Sequence, residues 1–250
     1  MQNTTTERRT VLITGGARRI GAAIARRLHA DGMNVAIHYN RSTADAQVLH
    51  ASLEHLRPGS VSLHQADLRD TDALGQLVND VLDAHGSLYS LVNNASCFYP
   101  TPLAGARECD WDVLVGTNLK APFFLCQAAA DSLRASHGCI VNLTDIYAQR
   151  PLPEHSLYGI AKAGLVMMTK SLALELAPDI RVNAIAPGPI LWPESDGPSQ
   201  DNTRILASTP MARIGEPDEI AEAASFLILR AHFTTGMTLP VDGGRALTGY

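Results

Sequence analysis

The 250-residue sequence lacks most features of secreted and membrane proteins. Its four cysteines, Cys97, Cys109, Cys126 and Cys139, are too far apart for a C-x-x-C metal or redox pair, and a chain of this length does not need disulfide bonds to fold. No eighteen apolar residues run together, and residues 1–10 are polar, without the apolar segment of a signal peptide. We therefore expect reduced thiols, a cytoplasmic protein and no membrane contact.

The sequence also has no excess of basic residues. Lysine and arginine number 20 against 25 aspartates and glutamates, which leaves a net charge of −5 and argues against nucleic acid as a partner. His50 and His55 are five residues apart and would diverge on a helix, so we expect no metal site. With 46% hydrophobic residues and no linker-like segment, residues 1–250 are expected to form a single domain.

Short apolar runs alternate with longer helical patterns along the whole chain. The predicted strands are 10–14, 34–39, 61–65, 88–93, 139–143, 181–185 and 237–241. The predicted helices are 21–30, 44–56, 71–84, 119–135, 157–177 and 217–229. This order predicts an α/β fold, a single-domain Rossmann-type doubly wound parallel sheet of about seven strands flanked by helices. The irregular stretch 187–210, rich in proline, is the expected substrate loop, extending to about 212.

A glycine-containing turn follows the first predicted strand and opens into a helix at residues 14–21. In open parallel sheets this turn binds a pyrophosphate, because glycine lets the backbone approach and the helix N-terminus offers free N–H groups. The second predicted strand ends in His38-Tyr39-Asn40-Arg41-Ser42, without the acidic residue that binds the ribose of NAD. With Arg18 and Arg41 available for a 2′-phosphate, the pattern favours NADPH. Either arginine alone could equally be a solvated surface charge.

Tyr158 and Lys162 are four residues apart in a helical stretch, which places them on one face. The chain has only three lysines, so this spacing is poorly explained by chance. An ammonium about 4 Å from a phenol favours the phenolate by roughly 4 kcal/mol at most at an effective dielectric near 20. We therefore expect Lys162 to lower the pKa of Tyr158 into the range of a working acid–base group.

These residues together resemble the short-chain dehydrogenase/reductase family. The likeness extends over almost the whole chain and includes the 14–21 turn, Asp67-Leu68, Asn93-Asn94-Ala95, Asn118, Tyr158 with Lys162, and Pro187-Gly188-Pro189. The resemblance implies that Tyr158 donates the proton, that Lys162 holds the nicotinamide ribose and lowers the tyrosine pKa, and that Asn118 supports a water relay. It also implies that Asp67 meets the adenine, that Asn93 and Ala95 line the cofactor groove, and that Pro187 and Gly188 flank the carboxamide.

Three departures from the common family pattern indicate a subfamily. The middle glycine of the turn is Arg19, the glycine after Asn-Asn-Ala is Ser96, and the serine about thirteen residues before the tyrosine is Asp145. Together with the segments 38–42 and 94–103, they resemble the pteridine reductases, which reduce pterins and folates with NADPH. The resemblance implies a first hydride transfer to C7 with Tyr158 protonating N8, and a second to C6 with a proton reaching N5 through water.

The expected site follows from these matches. The catalytic residues are Asn118, Asp145, Tyr158 and Lys162. The cofactor residues are Gly15, Arg18, Arg19, Ile20, Gly21, His38, Tyr39, Asn40, Arg41, Ser42, Asp67, Leu68, Asn94, Ala95, Ser96, Tyr158, Lys162, Pro187, Gly188 and Ile190. The pterin or folate residues are Arg18, Ser96, Phe98, Asp145, Tyr158 and Trp192.

Two of these residues could instead have purely structural roles. Phe98 is expected to stack on a flat ring but could be a buried loop anchor, and Asp145 is expected to share a proton relay with Tyr158 but could be a turn cap. The open alternatives for the whole chain are a dihydromonapterin reductase, a generic carbonyl or 3-oxoacyl reductase, and a regulator that binds NADPH without turnover. By resemblance we expect a homotetramer.

Overall fold

The computed structural model describes residues 8–191 and 200–248. The strands are β1 (Thr10–Ile13), β2 (Asn34–Tyr39), β3 (Val61–Gln65), β4 (Ser90–Asn93), β5 (Cys139–Leu143), β6 (Arg181–Pro187) and β7 (Thr238–Val241). The helices are α1 (Arg19–Ala30), α2 (Thr43–Leu56), α3 (Ala73–His85), α4 (Glu108–Val115), α5 (Ala121–Ala135), α6 (Ser156–Glu175), α7 (Gln200–Ala207) and α8 (Pro217–Leu229). The strands form one parallel sheet in the order β3-β2-β1-β4-β5-β6-β7. The predicted fold class is confirmed.

The core lies on both faces of the sheet. Successive residues of a strand point to opposite faces, so Val11 and Ile13 pack into one apolar cluster while Leu12 packs into the other. The first cluster is covered by α1, α2 and α8, and the second by α3, α5 and α6. Because helices cover both faces of the sheet, the strands appear in the sequence as continuous apolar runs.

Two helices were missed from the sequence. Helix α4 buries only Leu114, and its eight residues are too few for a helical periodicity to stand out. Helix α7 lies inside the stretch that we interpreted as irregular, so the prediction of a structureless loop over 187–210 is wrong for its last part. Residues 192–199, including the predicted substrate residue Trp192, lie outside the described residues.

Among the described residues, helix α6 is the one segment long and apolar enough to cross a membrane by length and composition. Forty-four per cent of its 18-residue window is buried inside the fold. The side chains of Leu165 and Leu172 pack into the second apolar cluster, and this packing accounts for the helix's composition.

Candidate active site

The turn between β1 and α1 is built for close approach of a ligand to the backbone. Gly15 has φ +60°, and a Cβ atom on Gly21 would lie 2.6 Å from the side-chain nitrogen of Asn94, closer than atoms pack. Arg19, which stands at the middle glycine position of the family pattern, adopts φ +52°. A residue other than glycine has about 1 kcal/mol of conformational strain in this left-handed region. Backbone strain of this size is often found at functional sites.

His38 holds the glycine turn from the end of β2. Its Nδ1 accepts the Gly15 N–H at 3.1 Å, and its Nε2 donates to the carbonyl of Ala66 at 3.1 Å. The ring is therefore neutral with the proton on Nε2. Burial lowers the pKa of His38 to about 4, so the ring stays neutral at physiological pH.

The end of β4 is tied to the same turn. The Thr14 hydroxyl accepts the backbone N–H groups of Asn94 (2.9 Å) and Ala95 (3.0 Å), and the Asn94 amide donates to the carbonyls of Thr14 (2.8 Å) and Gly15 (3.0 Å). This network fixes the two strand ends that flank a groove at the carboxyl edge of the sheet. The role of Thr14 was not predicted, because a lone threonine at a strand end carries no sequence signal. Asn93, expected to line this groove, instead turns its amide into the core and donates to Asn142 at 2.8 Å.

The groove has a volume of about 730 Å³. Apart from Asn93, it is lined by the cofactor residues predicted from the first half of the chain: Gly15, Arg18, Arg19, Ile20, Gly21, His38, Tyr39, Asn40, Arg41, Ser42, Asp67, Leu68, Asn94, Ala95 and Ser96. Five further lining residues were not predicted, namely Ala17, Arg69, Cys97, Val113 and Thr117. A glycine cradle at the start of a helix, leading into a groove of this size, fits a nicotinamide dinucleotide.

Charged groups concentrate at the end of the groove that is formed after β2 and β3. Arg41 is exposed there, and the Arg18 guanidinium lies 3.7 Å from the carboxylate of Asp45. Asp67 accepts hydrogen bonds from the guanidinium of Arg69, the shorter at 2.6 Å, and this interaction lowers the pKa of Asp67 to about 2. Asp67 is therefore ionised and already paired.

The candidate catalytic centre joins β5 to α6. The Tyr158 hydroxyl donates to Oδ2 of Asp145 at 2.6 Å, while Oδ1 of Asp145 accepts the backbone N–H of Tyr147 at 2.9 Å. Asp145 thus both caps the short 3₁₀ turn Ile146–Ala148 and bonds the phenol. Burial raises the pKa of Asp145, and burial together with this carboxyl raises the pKa of Tyr158 well above its usual value.

The expectation that Lys162 lowers the pKa of Tyr158 is wrong for this arrangement. The Lys162 nitrogen lies 5.6 Å from the centroid of the Tyr158 ring and donates to the carbonyl of Leu143 at 2.8 Å. Burial of the phenol, and after it the charge of the Asp145 carboxyl that the phenol contacts, raises the pKa of Tyr158 instead. Burial lowers the pKa of Lys162 itself to about 8.

Asn118 lies in a π-helical turn, Gly116–Lys120, between α4 and α5. Its Oδ1 accepts the Ser96 hydroxyl at 2.7 Å, and its amide nitrogen donates to the carbonyls of Cys97 and Leu114, both at 2.9 Å. Asn118 therefore fixes the loop after β4 that carries Ser96. A π turn of this kind is frequent at functional sites. The proposed water relay stays a prediction.

Phe98 is exposed at the mouth of the site, with 54% of its surface accessible. Its ring stacks on His155 with centroids 4.6 Å apart and meets Tyr158 edge-on at 4.8 Å. The position beside Tyr158 suits a substrate wall, and the exposure speaks against a buried loop anchor. His155 was not predicted, since no motif marks it.

The family residues after β6 sit at the same sheet edge but do not line the groove. Gly188 packs against Asp242, since a Cβ atom on it would lie 2.7 Å from the Asp242 Cα. Pro187 ends β6, and Ile190 is buried in the first apolar cluster. Their contacts with a cofactor stay predictions.

Comparisons with known proteins agree with this geometry. Residues 15–246 match the family model described as enoyl-(acyl carrier protein) reductase. The chain is 35% identical to 3-oxoacyl-(acyl-carrier-protein) reductase of Staphylococcus aureus, over 94% of this chain and 97% of that protein. It is 36% identical to pteridine reductase 1 of Leishmania tarentolae, over 95% and 96%. It is 35% identical to 3beta-hydroxysteroid dehydrogenase 1 of Eggerthella lenta, over 96% and 94%. The chain therefore belongs to the short-chain dehydrogenase/reductase family, whose members are oxidoreductases that use NAD(P)H.

Proposed function

We propose that the protein is an NADPH-dependent pteridine reductase that reduces dihydropterin or dihydrofolate to the tetrahydro form. The assay panel below also tests fully oxidised pterin as a substrate. The observation that carries this proposal is the 2.6 Å hydrogen bond from the Tyr158 hydroxyl to Asp145. An acid stands where the family pattern described above has a serine, and it is bonded directly to the candidate proton donor.

The acid suits a ring nitrogen better than a ketone. A ketone oxygen only accepts hydrogen bonds, so an acceptor carboxylate facing it is unfavourable, whereas a serine hydroxyl can donate. A pterin ring carries both N–H donors and nitrogen acceptors, and it can pair with Asp145 and Tyr158 together. The substitution at Asp145 therefore favours a nitrogen heterocycle over a 3-oxoacyl chain.

The raised pKa values of Asp145 and Tyr158 fit proton delivery at the same moment as hydride transfer. A buried weak acid releases its proton only to a strong base, and a ring nitrogen becomes one as the neighbouring carbon is reduced. NADPH, held in the groove by the glycine turn, would supply that hydride and be oxidised to NADP⁺, so that one hydride and one proton would add across a carbon–nitrogen double bond. Tyr158 gives the proton to the ring nitrogen, and the Asp145 carboxylate then takes up a proton from solvent and passes it to the phenolate.

The preference for NADPH is supported by the charge at the ribose end. The end of β2 carries no carboxylate, Arg41 is exposed beside Ser42, and Arg18 lines the same groove. A 2′-phosphate would find two guanidinium groups there and no acid from β2. We propose that Ser96 and Phe98 contact the substrate ring, Phe98 through its exposed aromatic surface.

We also propose a homotetramer. Helices α5 and α6 share an apolar hollow of about 440 Å³, and Phe123 and Met167 in it are 43% and 61% exposed. An apolar face of this kind is typical of a subunit contact.

A 3-oxoacyl or carbonyl reductase is the second candidate, favoured by the match to the Staphylococcus aureus enzyme. One panel separates it from the first: NADPH oxidation with biopterin, dihydrobiopterin, dihydrofolate, dihydromonapterin and a β-ketoester. Turnover of a pterin or folate supports the proposal, and the preferred compound identifies the substrate. Turnover with the ketoester alone contradicts it, and NADPH binding without any turnover favours a regulator.

A further inference from the structure

The turn that begins at Asp145 ends at a second charged residue. Backbone hydrogen bonds run from Ala148 N–H to the Asp145 carbonyl (3.1 Å) and from the N–H groups of Gln149 and Arg150 to the Ile146 carbonyl (3.2 and 3.3 Å). Residues 145–150 therefore form one hydrogen-bonded unit, with the acid at its start and Arg150 at its end.

Arg150 binds a distant part of the chain, residues 242–248, which we name the C-terminal segment. Its guanidinium donates to the carbonyl of Arg245 at 3.1 Å and to the carbonyl of Thr248. The C-terminal segment has its own order, because the Asp242 carboxylate accepts the N–H groups of Gly244 (2.9 Å) and Ala246 (2.7 Å). Arg150 thus binds the 145–150 turn, which carries Asp145, to a C-terminal segment that has hydrogen bonds of its own.

The same C-terminal segment holds the end of helix α7 and the residues after it. The Arg245 guanidinium donates to the carbonyl of Ile205 at 3.2 Å and to the hydroxyl of Ser208. The Thr248 hydroxyl donates to the carbonyl of Ser208 at 2.7 Å, and the N–H of Met211 donates to the carbonyl of Gly243 at 3.1 Å. The C-terminal segment therefore binds both the later part of the substrate loop and the 145–150 turn.

We propose that Arg150 is a positioning residue that holds the Asp145 carboxyl on the Tyr158 hydroxyl by docking the 145–150 turn onto the C-terminal segment. One guanidinium nitrogen of Arg150, Nη1, donates to both carbonyls, and these two contacts join the turn to two points of the C-terminal segment. Small displacements of a reacting group cost large factors in rate. Arg245 binds the substrate-loop residues Ile205 and Ser208 to the same C-terminal segment. This inference rests on the proposed role of Asp145.

The test is a double-mutant cycle between Arg150 and Asp145. We expect Arg150→Met to lower kcat about tenfold in the otherwise natural protein and less than twofold in an Asp145→Asn background, because Arg150 acts through Asp145. The affinity for NADPH, followed by fluorescence, should change less than twofold. Arg245→Met should instead raise KM, since it frees the loop side. Arg26→Met, at an exposed position on α1, is the matched control.

Two results would overturn the inference: an unchanged kcat in Arg150→Met, or an equal loss in both backgrounds, which indicates a merely structural role. Should Arg150→Met fail to fold, Arg150→Lys, which keeps a charged donor on a shorter side chain, serves in the same cycle with an intermediate loss expected. If the natural protein reduces only the β-ketoester, the pterin proposal fails, and the same cycle run with that ester still decides the role of Arg150.

Discussion

The Tyr158 hydroxyl lies 2.6 Å from Oδ2 of Asp145 and donates a hydrogen bond to it. The Lys162 nitrogen is bound to the carbonyl of Leu143 instead. The nearest charged group to the phenol is therefore an acid, and the pKa of Tyr158 is raised. In this chain the proton donor is best regarded as the Asp145–Tyr158 pair.

Replacing Tyr158 by phenylalanine removes the donor and leaves the ring. We expect kcat to fall at least a hundredfold, in the range that general acid catalysis contributes, while the affinity for NADPH stays within about threefold. Steady-state NADPH oxidation and fluorescence titration measure the two effects. Tyr89→Phe, at a buried phenol in the first apolar cluster, is the control and should retain its activity. Retained activity in Tyr158→Phe would mean that another residue donates the proton.

Lys162 should produce a basic limb in the pH profile. Burial lowers its pKa to about 8, so it is charged below that pH and loses its charge as the pH rises through it. Because the resemblance gives the charged Lys162 side chain the role of holding the nicotinamide ribose, we expect kcat/KM to fall as this charge is lost above about pH 8. In Lys162→Arg, whose guanidinium stays charged, that limb should move up by more than one pH unit. An unmoved limb in this variant assigns the ionisation to another group.

His38 should make stability depend on pH. Its pKa is about 4 in the folded chain against 6.5 for the free side chain, so the unfolded chain binds more protons between these values and stability falls as the pH drops through them. Between pH 7 and pH 5 the contribution lost is about 2 kcal/mol. Urea denaturation should show this extra loss relative to His38→Asn. The exposed His232→Asn should behave as the natural protein, and an equal pH dependence in His38→Asn would refute the assignment.

Arg41 should discriminate between the two nicotinamide cofactors. Arg41→Asp replaces an attractive charge by a repulsive one beside the proposed 2′-phosphate, so NADPH affinity should fall on the order of thirtyfold, given about 2 kcal/mol for a charged hydrogen bond. NADH affinity should change less than threefold. Arg26→Asp, exposed on α1, carries the same charge change away from the groove. Equal losses for both cofactors would contradict the 2′-phosphate contact.

Much of the fold was readable from the sequence, because its strands are buried on both faces and appear as continuous apolar runs. The prediction 139–143 coincides with β5, and 34–39 coincides with β2. Helix α4 was missed since its eight residues are too few for a helical periodicity to stand out. Helices α4 and α5 meet at a π-helical turn that contains Asn118. The side chain of Asn118 contacts Ser96, which is distant in the sequence, so no local sequence pattern predicts this turn.

The sequence indicates the geometry of the candidate site only where the residues are close together in the chain, because their spacing then fixes their relative positions. The glycine turn and the four-residue spacing of Tyr158 and Lys162 are local, and both residues are found on α6. Which charge lies nearer the phenol depends on packing between β5 and α6, so the dominance of Asp145 over Lys162 could not be derived from spacing. For the same reason His155 and Arg150 carried no signal, because their partners lie on other segments of the chain.

The central claim is that the Asp145 carboxyl selects a nitrogen heterocycle over a ketone. Its most direct test is the ratio of kcat/KM for dihydrobiopterin to kcat/KM for a β-ketoester, measured with NADPH in the natural protein and in Asp145→Ser. We predict a ratio well above one in the natural protein and a fall of at least a hundredfold in the serine variant, with the ketoester activity rising. A ratio that stays the same in both proteins would contradict the account.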